Sequence, residues 1–406
     1  MLINKNSNRG KYMKKLLIAT TALGFMAGAT IAEDIKLGIV FGFTGPIESL
    51  TQPMASGAEL AMKEVTDSGA FLGGSSVTSV RGDSTCIDSA AAVAVTERMV
   101  TSDKVNGLVG GDCSGVTGAM LQNVARPNGI VMVSPSATSP ALSTAEDDGL
   151  FFRTAPSDAR QGEVMTEVIM ERGVTSVAVT YTNSDYGKGL ADAFETAFIA
   201  AGGTVTINIA HEDGKADYSA EVGALASAGG DILVVAGYID QGGNGIVRAA
   251  LDTGAFDTFH FPDGMISTNL EANFGNEING SQGQHPGTDS AGAATFAAMA
   301  EADGFDGTSP FAPESYDAAA LIMLAMQAAG SSSSADYKSK IMDVANAPGE
   351  KIYPGELAKA LKILAAGGEV DYVGGSAVEL VGSGESAGAY RQIEIKDGKI
   401  TTMKYR

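Results

Sequence analysis

A cysteine and a serine stand side by side in residues 108–120, LVGGDCSGVTGAM, where an apolar run ends and a helical pattern begins. These residue types at such a turn could form a nucleophile, a metal ligand, half of a disulfide or a binding site for a small anion. A catalytic thiol needs a base close by, and the three histidines of the chain, His211, His260 and His285, lie far away in the sequence. The sequence also lacks histidine clusters and glycine–lysine phosphate loops. We therefore expect no catalytic residue, no metal site and no cofactor.

The first 32 residues have the pattern of a secretory signal peptide. Basic residues at positions 14 and 15 precede an apolar stretch, residues 16–31, and the acidic residues Glu33 and Asp34 follow it. This stretch is shorter than the roughly 20 residues that a membrane-spanning helix needs, which disfavours a membrane anchor. We expect residues 1–32 to be removed and residues 33–406 to be exported.

The chain contains two cysteines, Cys86 and Cys113. An even pair of cysteines in an exported protein favours a disulfide, because exported proteins fold in oxidising compartments. The loop that this bond closes spans 27 residues. Closing it would stabilise the fold by roughly 3–4 kcal/mol, because the unfolded chain loses entropy. The sequence thus predicts a structural role for Cys113.

The chain is strongly acidic, with 48 Asp and Glu residues against 27 Lys and Arg residues. Residues 1–32 contain five basic residues and no acid, which leaves 22 basic and 48 acidic residues, a net charge of −26, in the rest of the chain. A negative field of this size repels nucleic acid and offers no basic surface to anionic lipid. We expect a soluble monomer without a nucleic-acid partner.

Short apolar runs rich in β-branched residues alternate with helical patterns over residues 35–133, and the alternation restarts at residue 158. Alternating strands and helices predict parallel sheets with helices on both faces. The sequence therefore predicts an α/β fold of two doubly wound units that join near residues 153–156. After residue 284 the pattern becomes mostly helical as far as residue 366, and weak strands follow at residues 377–381 and 391–395.

Ligands of open α/β sheets bind beyond the carboxyl ends of the strands, and the loops at those places carry hydroxyls, two tyrosines and acids. These loops resemble those of the branched-chain amino acid family of type I periplasmic binding proteins, which serve ABC transporters. The resemblance runs in order, at the family's spacing, through nearly all of residues 33–406. The motifs that carry it are IKLGIV at 35–40, TGP at 44–46, DSTC at 83–86, GDCS at 111–114, SPSAT at 134–138, FRT at 152–154, DYG at 185–187 and GY at 237–238.

The resemblance implies two α/β lobes, joined by a hinge of three crossover strands, that close on a small molecule. It places lobe 1 at residues 33–154 and 283–389, and lobe 2 at residues 155–282 and 390–406. The crossovers would lie near residues 154, 282 and 390. A disulfide placed like Cys86–Cys113 is also frequent in the family.

The resemblance also implies how the two ends of an amino acid would be held. Ser114 matches the serine that binds the α-carboxylate, and a helix start favours an anion there because its N–H groups are free. Ser136 matches the residue whose backbone carbonyl accepts a hydrogen bond from the ammonium. Thr138 matches a threonine that contacts both ends. Asp263 matches the acid that pairs with the ammonium.

Two tyrosines, Tyr186 and Tyr238, match family tyrosines on the second lobe that cover the ligand. Three departures leave the side-chain specificity open. The first loop has no aromatic residue near Leu50, the residues that follow Phe311 differ from the usual pattern, and residue 263 is Asp where Glu is common.

The resemblance implies a periplasmic solute-binding protein, not an enzyme, that closes on a branched-chain or related amino acid and delivers it to an inner-membrane ABC permease. A binder or sensor of short amides or urea on the same fold stays open as an alternative, since a neutral amide does not need an acid at position 263. A hydrolase is disfavoured. Residues 384–388, GESAG, fit the G-x-S-x-G pattern, but no histidine follows Ser386.

Overall fold

The structure is a computed structural model that describes residues 32–406. The predicted signal peptide lies outside the described residues apart from its last position. Within the described range, no helix combines the length and the apolar character that crossing a membrane requires.

The described residues form strands and helices in alternation over most of their length. The strands are β1 (Asp34–Phe41), β2 (Ser76–Asp83), β3 (Gly107–Gly110), β4 (Met132–Ser134), β5 (Phe151–Pro156), β6 (Ser176–Thr182), β7 (Thr204–His211), β8 (Ile232–Ala236), β9 (Phe259–Phe261), β10 (Gln282–Pro286), β11 (Glu350–Ile352), β12 (Val370–Tyr372), β13 (Leu380–Val381), β14 (Glu385–Ser386), β15 (Tyr390–Lys396) and β16 (Lys399–Tyr405). The helices are α1 (Glu48–Ser68), α2 (Ser89–Arg98), α3 (Ser114–Met120), α4 (Arg126–Asn128), α5 (Asp158–Glu171), α6 (Asp185–Ala200), α7 (Ser219–Ala228), α8 (Gly242–Thr253), α9 (Thr268–Phe274), α10 (Ala291–Asp303), α11 (Ala312–Ala329), α12 (Ser334–Tyr337), α13 (Lys340–Ala345) and α14 (Leu357–Ala365).

Two seven-stranded sheets organise these elements into two α/β lobes. The first sheet has the order β13-β14-β5-β4-β3-β1-β2 and the second has the order β16-β15-β10-β9-β8-β6-β7. Strands β1 to β5 pair in parallel, as do β6 to β10. We call each sheet with its helices a lobe. This arrangement confirms the predicted fold class.

The central strands are buried and mostly apolar because helices cover both faces of each sheet. All residues of β3 (GLVG), β4 (MVS) and β8 (ILVVA) are buried. Helix α11 is buried over almost its whole length. It packs very closely on α1. A side chain at position 57 would clash with the carbonyl oxygen of Ala312, so this contact needs Gly57. This close approach brings the first turns of α1 beside Phe311.

Within residues 32–406 the chain passes between the two sheets three times, after β5, after β10 and after β14. Residues 282–286 pair with β9 and β15 in the second sheet, so the second passage follows Pro286, slightly later than predicted. The sequence pattern missed β10 because its residues, QGQHP, are polar or turn-forming. The exact division into lobes 33–154 with 283–389 and 155–282 with 390–406 stays a prediction.

The GESAG motif lies in a strand and its flanking turns. Glu385 and Ser386 form β14, which pairs with β5 and with β13. Ser386 is buried, and the Glu385 carboxylate receives hydrogen bonds from Arg153 and Ser143. The motif therefore completes the first sheet and lacks the exposed serine at a strand-to-helix turn that a hydrolase needs.

Candidate functional site

A narrow cavity lies between the two lobes at the carboxyl ends of the central strands. The lining residues from the first lobe are Ile47, Leu50, Met54, Asp112, Cys113, Ser114, Ser136 and Phe311, and those from the second lobe are Tyr186, Tyr238, Asp263 and Gly264.

The first lobe supplies hydrogen-bond donors at the end of the cavity where α3 begins. Ser114 is the first residue of α3 and is buried, and its Oγ accepts a hydrogen bond from the backbone N–H of Ser139 at 3.1 Å. The helix that begins with α3 continues as a π-helical turn over Leu121–Ala125 and ends with α4 at Asn128. The first N–H groups of a helix have no partner within the helix and carry a partial positive charge. This end of the cavity therefore favours an anionic group.

The disulfide between Cys86 and Cys113 fixes this loop. Its sulfur atoms are 2.07 Å apart, which confirms the predicted bond. The bond joins the loop after β2 to the residue before α3. Beside it, the Asp112 carboxylate accepts hydrogen bonds from Gly42 N at 2.5 Å and Ser84 Oγ at 3.0 Å. These contacts hold three loops of the first sheet together.

The second lobe supplies an acid at the other end. The Asp263 carboxylate is buried and accepts hydrogen bonds from Tyr186 Oη at 2.6 Å, Gly264 N at 2.8 Å and Gln161 Nε2 at 2.9 Å. Burial raises the pKa of Asp263, and these three hydrogen bonds oppose the rise. No Lys or Arg of residues 32–406 forms an ion pair with it. A ligand that carries a positive charge would supply the missing counter-charge.

Two tyrosines of the second lobe cover the acid. The rings of Tyr186 and Tyr238 are stacked, with centroids 5.1 Å apart and planes 16° from parallel. Burial and the negative charge of Asp263 raise the pKa of Tyr186 well above its usual value. The phenol therefore keeps its proton and remains a donor to Asp263.

The remaining wall is apolar. Ile47, Leu50 and Met54 come from the start of α1, and Phe311 precedes α11. The aromatic residue that the sequence lacked near Leu50 is thus replaced by aliphatic side chains. These residues suit an apolar ligand part of modest size.

Direct hydrogen bonds across the mouth of the cavity join the two lobes. Ser49 N donates to Asp240 Oδ2 at 2.8 Å, and Asp240 N donates to the carbonyl oxygen of Pro46 at 3.0 Å. A third bond, of 3.1 Å, joins the hydroxyls of Ser49 and Ser267. The structure therefore represents a closed arrangement of the lobes.

Five of the six predicted site residues line this cavity: Ser114, Ser136, Tyr186, Tyr238 and Asp263. Their roles in ligand binding stay predictions.

Thr138, the sixth, does not line the cavity. Its carbonyl oxygen accepts a hydrogen bond from Asp158 N at 2.8 Å, and its buried hydroxyl has no hydrogen-bond partner in the described structure. Its role as a ligand contact stays a prediction.

Sequence reasoning missed Ile47, Met54 and Asp112 as lining residues, and it missed the contribution of Gln161. Asp112 could have been found, because it follows the apolar run 105–109 at the place where ligands of open α/β sheets bind. Gln161 gave no signal, since one amide in an amphipathic helix normally faces solvent.

Comparison with known proteins agrees with this architecture. The family model described as "Periplasmic binding protein" matches residues 34–351. A Leu/Ile/Val-binding protein homolog 3 of Brucella melitensis is 32% identical over 234 residues, which are 57% of this chain and 61% of that protein. The Leu/Ile/Val-binding protein BraC3 of Rhizobium johnstonii is 30% identical over 293 residues, which are 72% of this chain and 74% of the relative.

Among solved structures, the branched-chain amino acid transporter substrate binding protein LivJ of Streptococcus pneumoniae, in complex with isoleucine, superposes with a TM-score of 0.74. The match covers 92% of this chain and 99% of that protein at 22% identity, so it speaks for the fold alone. Together, the matches confirm the resemblance that the loop motifs predicted.

Proposed function

Because the chain belongs to the periplasmic binding protein family, we propose that it is the solute-binding component of an ABC importer and that it binds an aliphatic amino acid between its lobes. The cavity supports this proposal because it combines three features: a helix start at one end, an unpaired buried acid at the other, and an aliphatic wall. These features complement a carboxylate, an ammonium and an apolar side chain.

The acid is the observation that carries the proposal. A buried carboxylate without a counter-charge costs several kcal/mol, and Asp263 has only neutral donors around it. An ammonium group would restore neutrality through charge-assisted hydrogen bonds. A short amide or urea has no such charge, and its binding would leave the acid unbalanced.

Closure would use the hydrogen bonds across the mouth of the cavity. A ligand that touches both lobes favours the closed form, because only that form makes both sets of contacts. We place the closed protein in the periplasm, where it would dock on an inner-membrane permease and release its ligand chemically unchanged.

A ligand screen tests the proposal. Purified residues 33–406 are mixed with L-leucine, L-isoleucine, L-valine, L-alanine, acetamide or urea, and unfolding is followed by heating. A ligand at 100 times its Kd stabilises the folded state by about 2.7 kcal/mol. We expect at least one amino acid to raise the Tm and the amides to have no effect.

Two variants assign the effect to the acid. Asp263→Asn should abolish stabilisation by amino acids, whereas Asp192→Asn, which removes an exposed acid of α6, should not change it. Stabilisation by acetamide or urea, with none from any amino acid, would overturn the proposal.

A further inference from the structure

Two buried carboxyl groups share one hydrogen-bond donor behind the cavity. Gln161 Nε2 donates to Asp158 Oδ1 at 2.8 Å and to Asp263 Oδ2 at 2.9 Å. The two acceptor oxygens therefore lie within about 6 Å of each other, close enough for each charge to disfavour the other. Asp158 is 0% exposed and Asp263 is 1% exposed, so water screens the repulsion poorly.

Hydrogen bonds to its oxygen fix the orientation of the Gln161 amide. Gln161 Oε1 accepts hydrogen bonds from Asp263 N at 3.3 Å and from Gln284 Nε2 at 3.2 Å. Gln284 Oε1 in turn lies 2.8 Å from His260 Nε2. Because both sites of the amide oxygen are used, the nitrogen of Gln161 must point at the two carboxyls.

Within residues 32–406 no cation forms an ion pair with either acid, although the charge of Arg153 lowers the pKa of Asp158. Arg153 faces them from β5, but its guanidinium donates to Ala137 O and Ser139 O, each at 3.0 Å, and pairs with Glu385 at 2.5 Å. The other titratable groups that face the pair are phenols: Tyr186 from α6, Tyr238 from the loop after β8 and Tyr390 from β15.

Within the described chain, three buried polar atoms near Asp158 lack a hydrogen-bond partner. Asp158 Oδ2, Thr138 Oγ1 and Tyr390 Oη are all buried without a hydrogen-bond partner in the described structure. His260 approaches the pair only through Gln284, and burial lowers its pKa to about 3, so it is neutral. The closeness of the two buried carboxyls and the lack of an ion-pair partner therefore favour retention of one proton at a pH where exposed aspartates have lost theirs.

We propose that Asp158 is a positioning residue of the ligand site, which shares one proton with Asp263, and that the ammonium group of the ligand displaces this proton into solvent. The O–H bond of the shared acid breaks, the proton passes to water, and the two carboxylates then face one positive charge. The pair would thereby select for a cationic group, since a neutral ligand cannot release the proton. This inference rests on the proposed function.

The pKa values of the two acids agree with the geometry. Burial raises the pKa of both acids, and the charge of Asp263 raises that of Asp158 further, while Thr138, Arg153 and Gln161 oppose the rise at Asp158. In the free protein the pair binds a proton that the complex does not, so ligand affinity decreases as the pH falls through the raised pKa. The Kd for a zwitterion should change by up to about tenfold per pH unit in that range.

Calorimetry measures the displaced proton directly. L-leucine, or whichever amino acid gives the largest Tm increase in the screen, is titrated into residues 33–406 in two buffers of different ionisation enthalpy, between pH 5 and pH 7. We expect the protein to release up to one proton per ligand, rising as the pH falls. Asp158→Asn keeps an oxygen that can accept a hydrogen bond from Gln161, and it should release about half as many protons per ligand or fewer. Asp192→Asn should release as many protons as the original protein.

Carbon NMR of ¹³C-labelled aspartate tests the shared proton without any ligand. The free protein should show a carboxyl resonance that titrates well above the range of exposed aspartates, and Asp158→Asn should remove or lower this titration. Amino acid binding with equal proton release in both proteins would overturn the inference but leave the proposed function intact. If no amino acid binds, the proposed function fails, and a free protein whose two acids titrate normally would overturn the inference separately.

Discussion

The hydrogen bond from Ser49 to Asp240 allows the closing equilibrium of the lobes to be perturbed without touching the cavity. Asp240 follows β8 in the second lobe, and Ser49 lies in the first turn of α1 in the first lobe. The Asp240 Oδ2 atom accepts a hydrogen bond from Ser49 N at 2.8 Å. Its Oδ1 accepts from Asn269 Nδ2 at 2.7 Å within the second lobe. Neither Asp240 nor Asn269 lines the cavity.

The expected effect follows from the type of bond. A hydrogen bond to a charged group contributes about 1.5–3 kcal/mol, and the half-buried position of Asp240 favours the lower value. The contact joins the lobes only when they are closed, so Asp240→Ala should shift the closing equilibrium about tenfold towards the open form. The Kd for the amino acid should rise by about the same factor, whereas the Tm of the free protein should change little.

Titration calorimetry with L-leucine, or with the amino acid that binds best, measures this change. Asp240→Asn keeps an oxygen acceptor and should lose less affinity than Asp240→Ala. Asn269→Ala removes only the contact within the second lobe and should retain nearly the original Kd. A Kd for Asp240→Ala within twofold of the original protein would refute the role of this contact in closure.

Three further predictions concern stability and are measured by urea unfolding. Arg153→Met should lower the free energy of unfolding by about 3–5 kcal/mol, because it leaves Glu385 and two carbonyl oxygens without their buried partner. Cys113→Ser should cost about 3–4 kcal/mol, since the disulfide to Cys86 closes a loop of 27 residues. Burial raises the pKa of Glu314 to about 8, so its folded state binds a proton that the unfolded chain loses near pH 4.5. As the pH rises from 4.5 to 8, this group should therefore lower the free energy of unfolding of the original protein by about 1.4 kcal/mol per pH unit. Glu314→Gln should not show this decrease.

Each of these predictions has a matched comparison. Arg126→Met removes an arginine from exposed ion pairs and should change stability little. A reducing agent should destabilise the original protein but not Cys113→Ser. The stability difference between Glu314→Gln and the original protein should grow from pH 5 to pH 8, and a constant difference would show that Glu314 ionises normally.

The sequence predicted those parts of the site that lie in loops after strands. Ser114, Ser136 and Asp263 each follow a strand whose apolar residues are visible in the sequence, and the carboxyl ends of parallel strands meet at one edge. Thr138 obeys the same rule, yet it is not among the residues that line the cavity. Position along the chain thus predicts the neighbourhood of a residue but not whether it reaches the cavity.

The apolar wall and the acid pair could not be predicted in this way. The wall depends on the packing of α1 against α11, which are separated by more than 200 residues, and on Gly57 at their contact. Asp158 and Gln161 lie in the first turn of α5, where polar residues are normally read as capping groups exposed to solvent. Only the fold shows that this turn is buried.

The last strands of the chain belong to the sheet that begins at residue 176. Strand β15 lies between β10 and β16, and both β15 and β16 come from residues 390–405. The second lobe therefore needs residues 390–405 for its full set of strand pairings. A chain cut before residue 390 would leave β10 with β9 as its one neighbouring strand and would expose the other edge of β10.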